Sequence, residues 1–408
     1  MKTPLFKNSV MALLLLWLIT LLSACSQEDS TPVVVTNSSS TERGLLISYQ
    51  QSGRITASEI ASNGSTIGDV STLTTKDVAF YKIVYNSLYK GESTQVTGLV
   101  LIPQNASAAL PLIQHHHGTI IPESGSEHEV PSNYTGGSTE NNVETSFIGA
   151  VMASNGYVVS LPDYTGYGET SHLEHPYTVH HELAEVSVDM IRATKNLLNE
   201  LSIGFSNAVF LTGWSEGGGA GLATHKYLQL KYPDEFVVKG SSLLAGPYDY
   251  SAFFSDVLEN NAQAWDNLSI YSWGMYALNK FVTSLNQSNQ DIWSYPVTHQ
   301  IDALYVPSNK PNEVFMAAFI QSFNDGTNAP FIEAVQENSL IKDWMPVGSL
   351  FFHSGTADAI VPHYNSINAH AQFQSVGANS TLYEYAEEDH YTPLYDYVVT
   401  TLNDFNNL

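Results

Sequence analysis

Gly213-Trp214-Ser215-Glu216-Gly217 places a serine between two glycines at two-residue spacing. An apolar run, residues 208–212, leads into it, and a helix-compatible segment, residues 218–232, leads out. That context predicts a strand–turn–helix in which a sharp turn lifts a serine hydroxyl above the end of a parallel sheet. Glycines suit such a turn because its strained backbone leaves no room for a β-carbon beside the serine. A hydroxyl is a poor nucleophile until a base takes its proton and a third group orients that base. Residues 349–358 run from an apolar stretch through a Gly-containing turn to Asp358. Residues 382–390 repeat the pattern, with His390 just past a second apolar stretch. In an open α/β sheet the carboxyl ends of the strands share one edge, so Ser215, Asp358 and His390 are expected to converge there. Glu387, Glu388 and Asp389 are rival acids, but they adjoin His390 in sequence and are poorly placed to support its far ring nitrogen.

A tetrahedral intermediate needs two backbone N–H donors. One is expected from Glu216, directly after the nucleophile at a helix N-terminus. The other is expected from the loop Gln114-His115-His116-His117-Gly118-Thr119, with Thr119 preferred and Gly118 as runner-up. Three adjacent histidines invite a metal, but side chains on a strand alternate in direction, so one ion cannot easily recruit all three. The reading is therefore hydrogen-bonded support of the loop, with no metal and no cofactor. Asp163, in Leu161-Pro162-Asp163-Tyr164-Thr165-Gly166-Tyr167-Gly168, is read as scaffold bonding backbone amides near the rim. Those glycines lack the third member of a dinucleotide fingerprint.

The elements that must position these groups follow from alternation. Strand signals begin at Lys76: residues 78–85 and 95–103 flank Lys90-Gly91-Glu92 as a hairpin. Further strands are expected at 110–115, 157–161, 208–212, 237–244, 349–353 and 381–385. Helices are expected at 144–155, 181–201, 215–232, 363–376 and 392–406. In the second of these Leu183, Val186, Met190 and Leu197 recur on one face, ready to cover a sheet. The result is an α/β fold with a mostly parallel sheet flanked by helices. Residues 247–346 interrupt it; a crossover needs only about a dozen residues, so they form an insertion. It holds Trp265, Trp273, Trp293 and Trp344 and looks helical, for example at 313–323. The aromatics serve either its own core or a pocket for an apolar substrate group beneath a cap.

Lys2 and Lys7 precede an apolar run over 10–22 and then Leu22-Ser23-Ala24-Cys25. A basic start, a short apolar core and small residues describe a secretory signal over residues 1–24. The last four residues resemble a bacterial lipobox, which implies cleavage before Cys25, lipid attachment there and membrane anchorage of an exported protein; an ordinary signal peptide is the alternative. Residues 25–43 read as a flexible tether, and 44–246 with 347–408 as the core. Cys25 is the sole cysteine, so intramolecular disulfides, a thiolate catalyst and a cysteine-built zinc site are excluded. The net charge is −25, and loss of Lys2 and Lys7 would make it −27, a surface that repels nucleic acid and favours neutral substrates.

Taken together, Gly-Trp-Ser-Glu-Gly-Gly-Gly, Pro-Asp-Tyr-Thr-Gly-Tyr-Gly, the His-Gly loop and the long insertion resemble the secretory lipase family of α/β-hydrolases over most of residues 75–400. The resemblance implies Ser215 as nucleophile, Asp358 as orienting acid, His390 as base and 247–346 as the lid region. The chain departs from fungal members in having no cysteine pair. The expected activity is carboxylic ester hydrolysis, of a small-molecule or lipid ester, through an acyl-enzyme. Two other readings stay open: a serine peptidase of the same fold, in which Glu216 captures a peptide amine, and a surface lipoprotein that only binds.

Overall fold

In the computed structural model ten strands form one sheet, in the order β1-β2-β3-β4-β6-β5-β7-β8-β9-β10. The strands are β1 Val33–Val34, β2 Leu46–Ile55, β3 Val78–Tyr89, β4 Glu92–Pro103, β5 Leu110–His116, β6 Val158–Pro162, β7 Phe205–Trp214, β8 Val237–Leu244, β9 Ser349–Gly355 and β10 Asn379–Tyr385. The structure describes residues 31–35, 41–105, 108–123, 125–137 and 142–408. The leader and Cys25 lie outside the described residues. Pro32–Leu408 forms one unit by its internal contacts.

β1 to β4 pair antiparallel, as does β4 with β6. From β6 to β10 every neighbour is parallel. The chain goes from β5 to β6 on one side and returns to β7 on the other. Order therefore reverses at β5 and β7, and such a switch point opens a crevice at the strands' carboxyl ends. β5 and β7 register His116 opposite Gly213, so the His117–Thr119 loop and the serine turn emerge side by side.

The helix His180–Glu200 covers the sheet with Leu183, Val186, Met190, Leu197 and Leu198, all buried, as the three- and four-residue spacing requires. Its second charged face anchors the chain entry: Asp189 is fully buried and takes Arg43 and the Ser87 hydroxyl. The segment read as a tether is thus partly structured. Val33–Val34 adds an edge strand to β2, and Arg43 is held by Asp189 and Glu185.

Two more elements escaped the alternation pattern, β2 and the short helix Ala57–Gly64, which is closed by a capping box between Thr56 and Glu59. The helix expected at 144–155 is two pieces, a π-helical turn Glu144–Gly149 running into an α-helix Ala150–Asn155. The helix expected at 313–323 is broken. Pro311–Val314 and Ala317–Asn324 flank Phe315, which is extended and bridges to Trp293.

The insertion folds as short helices around its own aromatic core, in which Trp273, Trp293, Phe315, Phe319 and Phe331 are buried. Tyr177 and Val179 of the main body join that core, and Tyr177 stacks on Trp273 at 4.0 Å. Trp344 lies elsewhere, against Phe373 and His225.

Candidate active site

At the end of β7 the chain reverses within one residue. Ser215 has φ 59° and ψ −123°, a left-handed conformation costly for any residue with a β-carbon. The turn persists because its surroundings over-determine it. Ser215 N–H donates to the Leu244 carbonyl at 2.9 Å, and the Ser215 carbonyl accepts from Gly218 N–H at 2.9 Å. A β-carbon on Gly217 would lie 2.0 Å from the His116 carbonyl oxygen, and one on Gly213 2.1 Å from the Gly217 carbonyl oxygen. Backbone is thus packed on backbone at both glycines. The helix Glu216–Lys231 starts immediately after, so Glu216 N–H is one of the donors a helix leaves unmatched at its start.

Asp358 follows β9 and His390 follows β10, and these adjacent strands bring them together. The His390 Nδ1–H donates to Asp358 Oδ2 at 2.7 Å, with both side chains buried. The other carboxylate oxygen, Oδ1, accepts from Ile360 N–H at 2.8 Å and Val361 N–H at 2.9 Å. The acid is therefore fixed before it meets the ring. Asp389, a rival acid by sequence, accepts instead from Tyr391 and Thr392 N–H and closes a local turn.

Trp214, next to the serine, reaches across to this pair. Its Nε1–H donates to the His390 carbonyl at 3.0 Å, and its ring lies 5.5 Å from the imidazole. The indole thereby ties the histidine loop to the serine turn. Among the described residues the Ser215 hydroxyl itself makes no hydrogen bond, so the His390–Ser215 link is not made in this structure. Catalytic hydrogen bonds of this type are often long before substrate enters.

The His-Gly loop packs directly on the turn: a β-carbon on Gly118 would lie 3.3 Å from Ser215 Cβ and 3.1 Å from the Trp214 carbonyl oxygen. Gly118 N–H is already spent, donating to Glu144 Oε1 at 2.7 Å. Among the described residues nothing accepts Thr119 N–H. Its hydroxyl pairs with the Tyr177 hydroxyl at 2.9 Å. The three histidines go separate ways. His115 meets Thr212 and Glu144, His116 lies between the Thr212 carbonyl and the Thr224 hydroxyl, and His117 lies between the Gly118 and Asp163 carbonyls. No group of three or more His, Cys, Asp or Glu suited to a metal occurs among the described residues. Burial, with His115 and His117 alongside, pushes His116 down to about 3. Asp163 accepts from Ser132 N–H at 2.9 Å and from the Thr97 hydroxyl at 2.6 Å.

The Glu216 side chain turns inward. Its Oε1 lies 2.8 Å from His175 Nε2 and accepts from Thr178 N–H at 3.1 Å, all three groups buried. His175 Nδ1 lies 2.7 Å from the Thr165 carbonyl oxygen.

Ser215 lines one opening, and a second is bordered by its neighbour Trp214. The first is a narrow slot beneath the insertion, walled by Tyr250, Phe253, Phe254, Tyr271, Ile360 and Val361. Of the insertion's aromatics, Tyr250, Phe253, Phe254 and Tyr271 belong to its buried core and also line this slot. The other opening is a more polar cleft bordered by Thr119, Glu129, Asn142, Glu144, Trp214 and Tyr391. Glu144, Trp214 and His175 were not singled out by sequence. Only Trp214, as a neighbour of Ser215, offered any signal.

Residues 129–262 match the secretory lipase family, a span that includes Ser215 and stops before Asp358. No curated protein sequence matches the chain. Among solved structures, a Legionella pneumophila protein assigned as a hydrolase is similar at 22% identity and TM-score 0.76, over 90% of this chain and 98% of that one. The rice cell wall degrading esterase LipA from Xanthomonas oryzae is similar at 22% identity and TM-score 0.72, over 88% of this chain and 95% of that one. Candida antarctica lipase A is similar at 16% identity and TM-score 0.62, over 86% and 78%. The family match supports a hydrolase of the lipase or esterase class. The chain has the α/β-hydrolase fold, and its residues 129–262 resemble the secretory lipase family.

Proposed function

We propose that the protein is a serine carboxylic ester hydrolase working through an acyl-enzyme on Ser215. The observation that carries this reading is the buried Asp358–His390 hydrogen bond, tied by Trp214 to a strained serine turn. In this scheme His390 Nε2 takes the Ser215 proton as the oxygen bonds to the ester carbonyl carbon. The carbonyl π electrons move to oxygen, which the Glu216 and Thr119 N–H groups receive. Collapse breaks the bond to the alcohol, which leaves with the proton from His390. Water then repeats both steps and releases the acid. No step calls for a metal or cofactor. The apolar slot takes the acyl chain, and the polar cleft lets the alcohol depart. Export with lipid on Cys25 is carried into this proposal from the leader alone.

The peptidase reading loses its main support. The Glu216 side chain is buried with Oε1 held by His175 and Thr178 N–H, which leaves only Oε2 without a partner among the described residues and favours a structural role over capture of a substrate amine. Parallel assays of p-nitrophenyl esters and aminoacyl-anilides test the choice: esters should turn over and anilides should not. Ser215→Ala should abolish ester turnover and labelling by a fluorophosphonate, with the melting temperature unchanged. Turnover retained in that variant would discard Ser215 as nucleophile.

The slot makes a separate prediction. Gly274 lines it, and a β-carbon there would stand 3.1 Å from the Tyr250 hydroxyl and 3.3 Å from the Thr178 hydroxyl. Gly274→Val should therefore lower kcat/KM for octanoyl esters by about tenfold relative to acetyl esters, the discrimination that blocked apolar volume provides. An equal loss at every chain length would put the acyl group elsewhere.

A further inference from the structure

We propose that Glu144 is the positioning residue of the oxyanion loop, aiming Thr119 N–H at the reaction centre by holding the amide before it. The inference rests on the Ser215 reading above. Glu144 opens a six-residue π-helical turn, a rare geometry that often marks functional sites. Its carboxylate bridges two elements. Oε1 accepts Gly118 N–H at 2.7 Å, and Oε2 lies 3.0 Å from His115 Nε2. The opposite ring nitrogen, His115 Nδ1, lies 3.0 Å from the Thr212 hydroxyl on β7, three residues before Ser215. One carboxylate thus locks the oxyanion loop to the strand that carries the nucleophile.

The consequence is directional. Successive amides in a loop can both point at one site or diverge, and binding Gly118 N–H on the Glu144 side selects which of them remains for substrate. Gly118 N–H is consumed, while Thr119 N–H is unclaimed among the described residues. Further contacts hold the rest of the loop. The Tyr164 hydroxyl donates to the His117 carbonyl at 3.2 Å, and the Tyr167 hydroxyl donates to the Ile120 carbonyl. Tyr164 thus holds the carbonyl of the 117–118 peptide whose N–H Glu144 takes, and His117 Nδ1 meets the Gly118 carbonyl at 2.7 Å; of these groups Glu144 is the one that also ties the loop through His115 to β7. Its side chain is 13% exposed and borders the polar cleft, so it sits at the reaction centre's edge without reaching Ser215.

The test compares Glu144→Ala with Glu144→Gln, both normalised to active sites by titration with a fluorophosphonate. Glutamine keeps an oxygen for Gly118 N–H and an amide group within reach of His115 Nε2, whereas alanine offers neither. Glu144→Ala should lower kcat by about a hundredfold per titrated site, the cost of a lost oxyanion donor, with KM changed by less than threefold. Its affinity for an alkyl trifluoromethyl ketone, which places an oxyanion in the same site, should fall in parallel. Glu144→Gln should retain at least a third of kcat. A purely structural role would reduce the number of titratable sites and leave kcat per site intact, which would overturn the proposal, as would equal losses in both variants. If the wild-type protein is neither active on esters nor labelled at Ser215, the ester-hydrolase reading fails first. Activity in the wild type with an unimpaired Glu144→Ala variant sinks only the role of Glu144.

Discussion

Asp358→Asn should lower kcat on p-nitrophenyl esters by about 10⁴-fold, the scale seen when a triad aspartate becomes an amide, with KM nearly unchanged. The loss follows from hydrogen-bond polarity. Asp358 Oδ1 is held by the Ile360 and Val361 amides, so the asparagine oxygen must take that position to accept them. The amide nitrogen then faces His390 Nδ1, and a donor meets the atom that now donates at 2.7 Å. The imidazole responds by carrying its proton on Nε2. A base with N–H toward the serine cannot take a proton from it. The fold should tolerate the change, since volume and the two amide contacts are preserved, and the melting temperature should move by only a few degrees. Steady-state kinetics beside thermal melts decide the matter. A variant keeping more than a tenth of wild-type kcat would mean that His390 is oriented by another group, with Asp389 and Glu388 the nearest acids in sequence.

What the chain discloses before folding, and what it hides, divides along a physical line. Ser215, Asp358 and His390 stand at boundaries where an apolar run meets a turn, and such punctuation is local. Parallel strands then bring the boundaries to one edge. The Asp358–His390 contact joins residues 32 apart for that reason. Glu144 left no local mark, because an acid in the first turn of a helix is ordinary. Its meaning comes from Gly118, 26 residues earlier, and from His115. The inward turn of Glu216 is equally nonlocal, fixed by His175 on a loop 41 residues away. β2 was missed for a different reason. Leu46–Ile55 carries Ser, Gln and Gly at its centre, with pairing shifts near Ser48 and Gly53, so period-two alternation is broken. At Phe315 a helical pattern lost to tertiary packing, where pairing with Trp293 and burial in the aromatic core outweigh one turn's propensity.

The buried histidines set the second large expectation, acid lability well above the carboxylate range. Burial pushes His116 and His353 down to about 3, and His180 and His225 down to about 4. In the unfolded chain each would titrate near its ordinary ~6.5. As pH falls from about 6.5 toward about 4, the unfolded state takes up protons that the folded state refuses, so stability declines with falling pH. Above about 6.5 the four contribute fully. Below their folded values the loss is complete. Each proton of difference is worth about 1.4 kcal/mol per pH unit, so four together set a ceiling of about 5 kcal/mol per unit. Asp163 and Asp189 work the other way. Burial raises both, so the folded state binds protons before the unfolded one and recovers part of the loss toward the acid end. Denaturant melts at intervals from pH 7.5 to 4.5 should therefore show a steep fall that begins near 6.5 rather than near 4. His353, which lies between the Ser242 and Tyr385 hydroxyls, isolates one proton of the effect. His353→Phe should cost stability at pH 7.5, where two hydrogen bonds are lost, yet flatten the slope between pH 6 and 5 by about 1.4 kcal/mol per unit. An unchanged slope in that variant would show that His353 is charged in the folded protein, and that its burial does not hold it neutral.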